Sequence, residues 1–173
     1  AHILADMRID PVIIMATLLH DVPEDTSVTL NDIANNFGDE IASLVSGITK
    51  LGKLKYRGVE RYLENLRKMF VAMAEDIRVM IIKFADRIHN MSTIHHLPRI
   101  KQHRIAVETR DVYSPLAHRL GMAKVKWTLD DLVLQTLNPD IYKEIVKKIK
   151  LTNKSREAYI AKISKIVIEN LKE

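Results

Sequence analysis

Only five Gly and five Pro punctuate 173 residues, and between them apolar side chains recur three and four positions apart. That pattern restricts the chain to a stack of helices, an all-α fold. Ile41, Leu44, Val45 and Ile48 form one stripe of a helix expected from Asp39 to about Thr49. Glu60 to Ala74 reads as a second, burying Leu63, Leu66, Phe70 and Met73. Val12, Ile13, Met15, Ala16, Leu18 and Leu19 are apolar on almost every side, as in a buried helix that Pro11 starts and Pro23 stops. Thr29 with Asp32 resembles a capping box, and Gly38 is placed to end the helix it opens. Asp76 can cap a helix from Ile77 to about Thr93. A strand over Val79 to Phe84 is the alternative there, rejected because the polar positions beyond it keep helical spacing. Another helix is expected from about Ile100 to Tyr113, with Pro98 before it and Pro115 as the next interruption.

After Asn138-Pro139 the composition turns to Lys-rich amphipathic helix, with Ile145, Ile149, Ile160, Ile163, Ile166 and Leu171 as apolar positions. A boundary near residue 140 follows, between a main bundle (1–140) and a helical appendage (141–173). The charge agrees. Residues 1–140 carry 18 Lys and Arg against 18 Asp and Glu, whereas 141–173 carry nine against four, so the net +5 sits in the appendage. A neutral body with a basic tail argues against a dedicated nucleic-acid-binding domain. The absence of Cys rules out disulfides and thiolate metal sites and fits a reducing, cytoplasmic setting. No apolar run is long enough to span a bilayer.

The residues with chemical potential are few. His20-Asp21 falls at the expected carboxyl end of a helix, Glu24-Asp25 on the turn that follows, and Asp86 far downstream. Adjacent residues on a helix point about 100° apart, so His20 and Asp21 can share an ion only at a helix edge or end. Asp86, Asn90 and Thr93 fall at i, i+4 and i+7, a polar stripe on an otherwise apolar helix. With Asp86 as third donor, His20 and Asp21 would make a nitrogen–oxygen site for a divalent ion, open to water and substrate. Glu24 and Asp25 lie near enough to take a proton from activated water. Each piece also has a plainer explanation: Glu24-Asp25 as a solvated turn, Asp86 as a partner of Lys83 or Arg87, His89 as an ordinary helix residue. His95 and His96 read as loop residues, and His118 and Trp127 as packing. The cluster Lys50, Lys53, Lys55 and Arg57 suits an anionic ligand or a solvated loop. Spacing alone leaves the metal site and the plainer readings equally open.

Longer words settle on a family. LLHDVPEDTSVTLNDIANNFGDEIASLVSGITKLGKL, LRKMFVAMAEDIRVMIIKFADRIHNMST and VYSPLAHRLGMAKVKWTLDDLVLQTLNP resemble the hydrolase domain of the RelA/SpoT family of bacterial alarmone enzymes. The likeness runs almost continuously from the first residue to about residue 145. It implies an HD-type helical bundle and a helical connector leading to a synthetase domain. The implied reaction is hydrolysis of guanosine tetra- or pentaphosphate at the 3′ position to pyrophosphate and GDP or GTP, with Mn2+ as metal. By the same resemblance His20, Asp21 and Asp86 are metal ligands, and Glu24 and Asp25 activate water. Asn90 and Thr93 face the nucleotide, with Lys50 and Arg87 as weaker candidates for phosphate contact.

The family has a further metal-ligating His about a helix before the pair, and a guanine-stacking loop also upstream. Both are expected before Ala1, so the chain reads as N-terminally incomplete; His2 is too near the pair to substitute. Pro23 stands where the family is often aliphatic. Two rival readings remain: an HD phosphohydrolase of another nucleotide, and a catalytically silent HD module regulating an attached synthetase. Neither a membrane nor a nucleic acid is an expected partner.

Overall fold

Asp10 and Pro11 open the helix that leads to the His-Asp pair. In the computed structural model, which describes residues 1–52, 67 and 69–170, that helix spans Pro11–Leu19 (α2), after a short α1 at His2–Asp6. The Asp10 carboxylate accepts from the Val12 N–H at 2.8 Å, and Pro11 occupies a position whose N–H would have had no helical partner. A single turn, Val22–Asp25 (α3), follows almost at once. Pro23 therefore sits at the start of a helical turn rather than ending one, because its fixed φ suits a first turn. Glu24 and Asp25 lie in that turn, where the sequence placed them.

Leu30–Phe37 (α4) begins with a complete capping box: Asp32 N–H donates to Thr29 Oγ1 at 3.2 Å, and Thr29 N–H donates to Asp32 Oδ2 at 2.8 Å. The Thr29 partner holds the Asp32 carboxyl below its ordinary pKa. Gly38, at φ +92°, ends α4 as expected. Asp39–Gly52 (α5) runs past the expected Thr49 and buries Ile41, Leu44, Val45 and Ile48. Lys53, Lys55, Arg57, Leu63, Leu66 and Leu171, singled out from sequence, lie outside the described residues.

Residues 69–75 are helical, but their buried positions are Met69 and Ala72, while Phe70 is 45% exposed. Of the two expected stripe positions in this stretch, Met73 packs partly buried against the core and Phe70 does not. Next comes Ile77–Ser92 (α6), capped by Asp76 through the Arg78 N–H, so the helical reading prevails over the strand. A 3-10 turn at Ile94–His96 and Arg99–Glu108 (α7) lead to a π-helical turn, Thr109–Tyr113, continued by Ser114–Arg119 (α8). Pro115 is not the expected interruption. A proline inside an α-helix lacks an N–H and collides with the carbonyl four residues back, and the widened π turn just before it relieves both. Ala123–Leu137 (α9) and Pro139–Asn170 (α10) complete the order.

The bundle is built around α6, which packs on α1, α2, α5 and α9. Met80, Ile82 and Phe84 of α6 are fully buried. Gly47 of α5 permits a close helix crossing: a Cβ there would stand 2.8 Å from a Val79 methyl. Arg78 ties the helix starts together, pairing with Asp76 and with Glu40 of α5; both carboxylates hold its guanidinium pKa above the ordinary value. A smaller cluster of Met91, Ile94, Ala106 and Val133 fills the space between α6, α7 and α9. Two sequence expectations about burial fail. Met15 and Leu18 leave α2 exposed on one side, and Trp127 (65% exposed) and His118 face solvent rather than packing. A helix on the rim of a bundle can be apolar all round without being buried all round.

Candidate functional site

His20 caps the carboxyl end of α2, where the chain breaks before α3. Its Nδ1 lies 2.8 Å from the Thr17 carbonyl oxygen. A carbonyl can only accept, so Nδ1 carries the proton and, in neutral imidazole, Nε2 presents its lone pair. That lone pair faces Asp21 Oδ2 at 3.1 Å. Two acceptors at this distance repel unless the ring is protonated or a cation lies with them. Donors on arms of about 2.1 Å stand about 3 Å apart at neighbouring corners of an octahedral shell, so the pair fits a divalent ion. Anchoring of the other ring nitrogen by a backbone carbonyl is the support a metal-bound histidine needs. His20 is 18% exposed and Asp21 64%, which leaves the pair open to solvent on the carboxylate side.

Glu24 and Asp25 follow within one turn, both exposed. Their N–H groups donate to the Asp21 carbonyl at 3.0 and 2.9 Å, which ties the acidic pair to the backbone of the His-Asp pair. Acidic residues in a first helical turn are also favoured by the helix dipole alone.

Asp86, on α6, has a different environment. Its Oδ1 accepts from Asn90 Nδ2 at 2.9 Å, and Lys83 Nζ stands 3.5 Å from its Oδ2. The i, i+4 stripe is therefore a hydrogen-bonded pair in fact. The Lys83 contact, at i, i+3 spacing, is the plainer reading of Asp86 that the sequence offered. Among the described residues, no three His, Asp or Glu side chains gather as a metal-binding group. The structure brings His20 and Asp21 together and leaves Asp86 outside that pair.

The other candidates separate clearly. Thr93 ends α6, with its hydroxyl donating to the His89 carbonyl at 3.1 Å, and both Asn90 and Thr93 are exposed. Lys50 is exposed in the last turn of α5, a position that suits a cation by the helix dipole alone. Arg87 turns inward: its Nη2 donates to Glu108 Oε1 at 2.7 Å, and its Cζ lies 4.0 Å over the Tyr113 ring. At 13% exposure, that guanidinium is braced against protein, and its geometry lends no support to phosphate contact. Sequence spacing could not have found Glu108, 21 positions away.

The family model for the HD domain matches residues 1–123. A Streptomyces coelicolor protein named GTP pyrophosphokinase is 47% identical over 98% of this chain and 20% of its own length. An Escherichia coli protein named bifunctional (p)ppGpp synthase/hydrolase SpoT is 47% identical over the whole chain and 25% of its own length. A Haemophilus influenzae protein named guanosine-3′,5′-bis(diphosphate) 3′-pyrophosphohydrolase is 44% identical over 98% of the chain and 26% of its own length. The chain thus spans about a fifth to a quarter of the length of the curated relatives it matches.

Proposed function

The chain belongs to the HD domain family, among RelA/SpoT relatives that match it along nearly its whole length, and from that premise we propose that it hydrolyses guanosine tetra- or pentaphosphate. Water adds to the phosphorus of the 3′ diphosphate, the bond to the ribose oxygen breaks, and pyrophosphate leaves with GDP or GTP behind. The observation that carries the reading is the His20 ring, fixed through Thr17 so that Nε2 faces Asp21 Oδ2 at 3.1 Å. The names of two of the relatives supply the substrate.

His20 and Asp21 would hold a divalent ion, proposed as Mn2+, with Asp86 as third ligand once released from Lys83. When bound, the ion lowers the pKa of water and neutralises charge on the attacked phosphorus. Glu24 or Asp25 receives the proton of that water. Asn90 and Thr93, on the exposed end of α6, face the nucleotide, and Lys50 offers a cation to its phosphates. Residues 1–140 form the hydrolase bundle, and α10 serves as a connector toward a synthetase domain in a longer protein. The four- to five-fold greater length of the relatives supports that last point.

The engagement of Asp86 by Lys83 and Asn90 favours one alternative, a silent module that binds alarmone and regulates its neighbour. One experiment separates the two. Full-length protein is incubated with guanosine tetraphosphate with and without Mn2+, and the phosphate species released is identified. Mn2+-dependent pyrophosphate, abolished by Asp86→Ala, is the expected result; nucleotide bound without turnover establishes the silent module. Orthophosphate or triphosphate as product would point to an HD hydrolase of another nucleotide.

A further inference from the structure

The π-helical turn between α7 and α8 does more than accommodate Pro115. Glu108 is the last residue before it and Tyr113 closes it; across the turn the Ser114 N–H donates to the Thr109 carbonyl, five residues back. At α-helical pitch, residues five apart point about 140° away from each other. Pairing of i with i+5 winds the chain wider, so Glu108 and Tyr113 come round to one side. What lies between them is the Arg87 guanidinium, paired with Glu108 at 2.7 Å and 4.0 Å over the ring of Tyr113. The carboxylate is 11% exposed and the tyrosine 4%, so the clamp is closed to solvent. Tyr113 also meets Phe84 edge-on, with centroids 6.5 Å apart.

The clamp therefore grips α6 at Phe84 and at Arg87, immediately before and after the turn that carries Asp86. We infer that Glu108 and Tyr113, aligned by the π turn, are positioning residues that fix the rotation of α6 and hence the direction of the Asp86 carboxylate. The inference rests on the reading of Asp86 as a metal ligand. A short side chain such as Asp cannot search far for an ion, so the helix must aim it. Neither Glu108 nor Tyr113 touches the substrate in this scheme; each acts through Arg87 or Phe84.

The test measures Mn2+ binding by the electron paramagnetic resonance signal of the free ion, in full-length protein. The component that Asp86→Ala removes defines the site. Glu108→Ala and Tyr113→Leu are expected to weaken that component at least ten-fold, within the range for residues supporting a metal ligand. Glu108→Gln is expected to recover part of the affinity, and Tyr113→Phe, which keeps the ring, nearly all of it. Turnover at saturating Mn2+ should show kcat lowered with little change in KM for guanosine tetraphosphate. Variants that melt earlier yet bind Mn2+ as the wild type does would overturn the inference and leave a merely structural brace. Wild-type protein that binds Mn2+ at Asp86 without hydrolysing guanosine tetraphosphate would overturn the proposed reaction alone. Wild-type protein with no component sensitive to Asp86→Ala would overturn the inference together with the ligand assignment.

Discussion

Helices α6 and α10 carry similar sequence signals and have opposite surroundings. Both are long, both alternate apolar with basic residues, and both were legible as helices from periodicity. In α6, Val79, Met80, Ile82, Phe84, Ala85, Ile88 and Met91 are buried, because α1, α2, α5 and α9 close around it. In α10, Ile141, Ile145, Ile149, Ile160, Ile163 and Ile168 are between 40% and 55% exposed. Periodicity reports that a helix has an apolar face; it does not report what covers that face. Under the proposed metal reading this difference would matter, because α6, held from several sides, could aim Asp86, whereas α10 presents no comparable scaffold in its described residues.

The largest way to break this comparison is to hollow out α6. Phe84 is fully buried and touches Tyr113 of the clamp. Phe84→Ala should destabilise the fold by about 3–5 kcal/mol, the range for a large core side chain lost to a cavity. Urea unfolding followed by circular dichroism measures it. A loss near 1 kcal/mol would mean that α6 is not the centre of the bundle.

A smaller effect sharpens the contrast through charge. Asp76 caps α6 and pairs with Arg78 at 2.8 Å, and the Arg78 guanidinium holds its carboxyl below the ordinary value of 3.8. A carboxyl depressed in the folded state adds stability that is fully present above its unfolded pKa. That stability is lost as pH falls through the folded pKa, below 3.8. Asp76→Asn keeps a good capping side chain but removes the charge, so it should cost no more than about 1 kcal/mol near pH 7. The gap between variant and wild type should hold from pH 7 to about 5 and close below pH 4. A gap that persists undiminished at pH 3 would show that the carboxylate charge contributes nothing.

Local rules were the legible part of this molecule. Thr29 with Asp32, Gly38 and Asp76 each act through bonds within four residues, and each stands where its sequence placed it. The stripe of α5 was also legible, because four residues at helical spacing outvote any one error. Single positions were less so: Phe70 and Trp127 are left exposed by the described residues, a fact with no local signal. In the site the same division holds. His20 and Asp21 are adjacent and their pairing followed from the dipeptide. The role of Thr17 is performed by its backbone carbonyl, which every residue type possesses. For Arg87 the resemblance suggested phosphate contact; its actual partners, Glu108 and Tyr113, come from a turn whose π winding spacing rules do not anticipate.

The smallest expected effect belongs to α10 and decides how the comparison is to be understood. Ile149 is 51% exposed, so truncation removes apolar surface that water already reaches. Ile149→Ala should change the stability of this 173-residue chain by about 0.5 kcal/mol or less, as at other surface positions. Helix propensity works in the same direction, since Ala favours a helix more than Ile does. A cost of 2 kcal/mol or more would match a covered isoleucine, and would mean that the face is occupied in solution. The difference between α6 and α10 would then lie in which partner covers each helix rather than in whether one does. Running the same measurement over a ten-fold range of protein concentration separates the sources. A cost that grows with concentration marks a second copy of the chain, since mass action stabilises an associated state. A cost that does not change places the cover within the same chain.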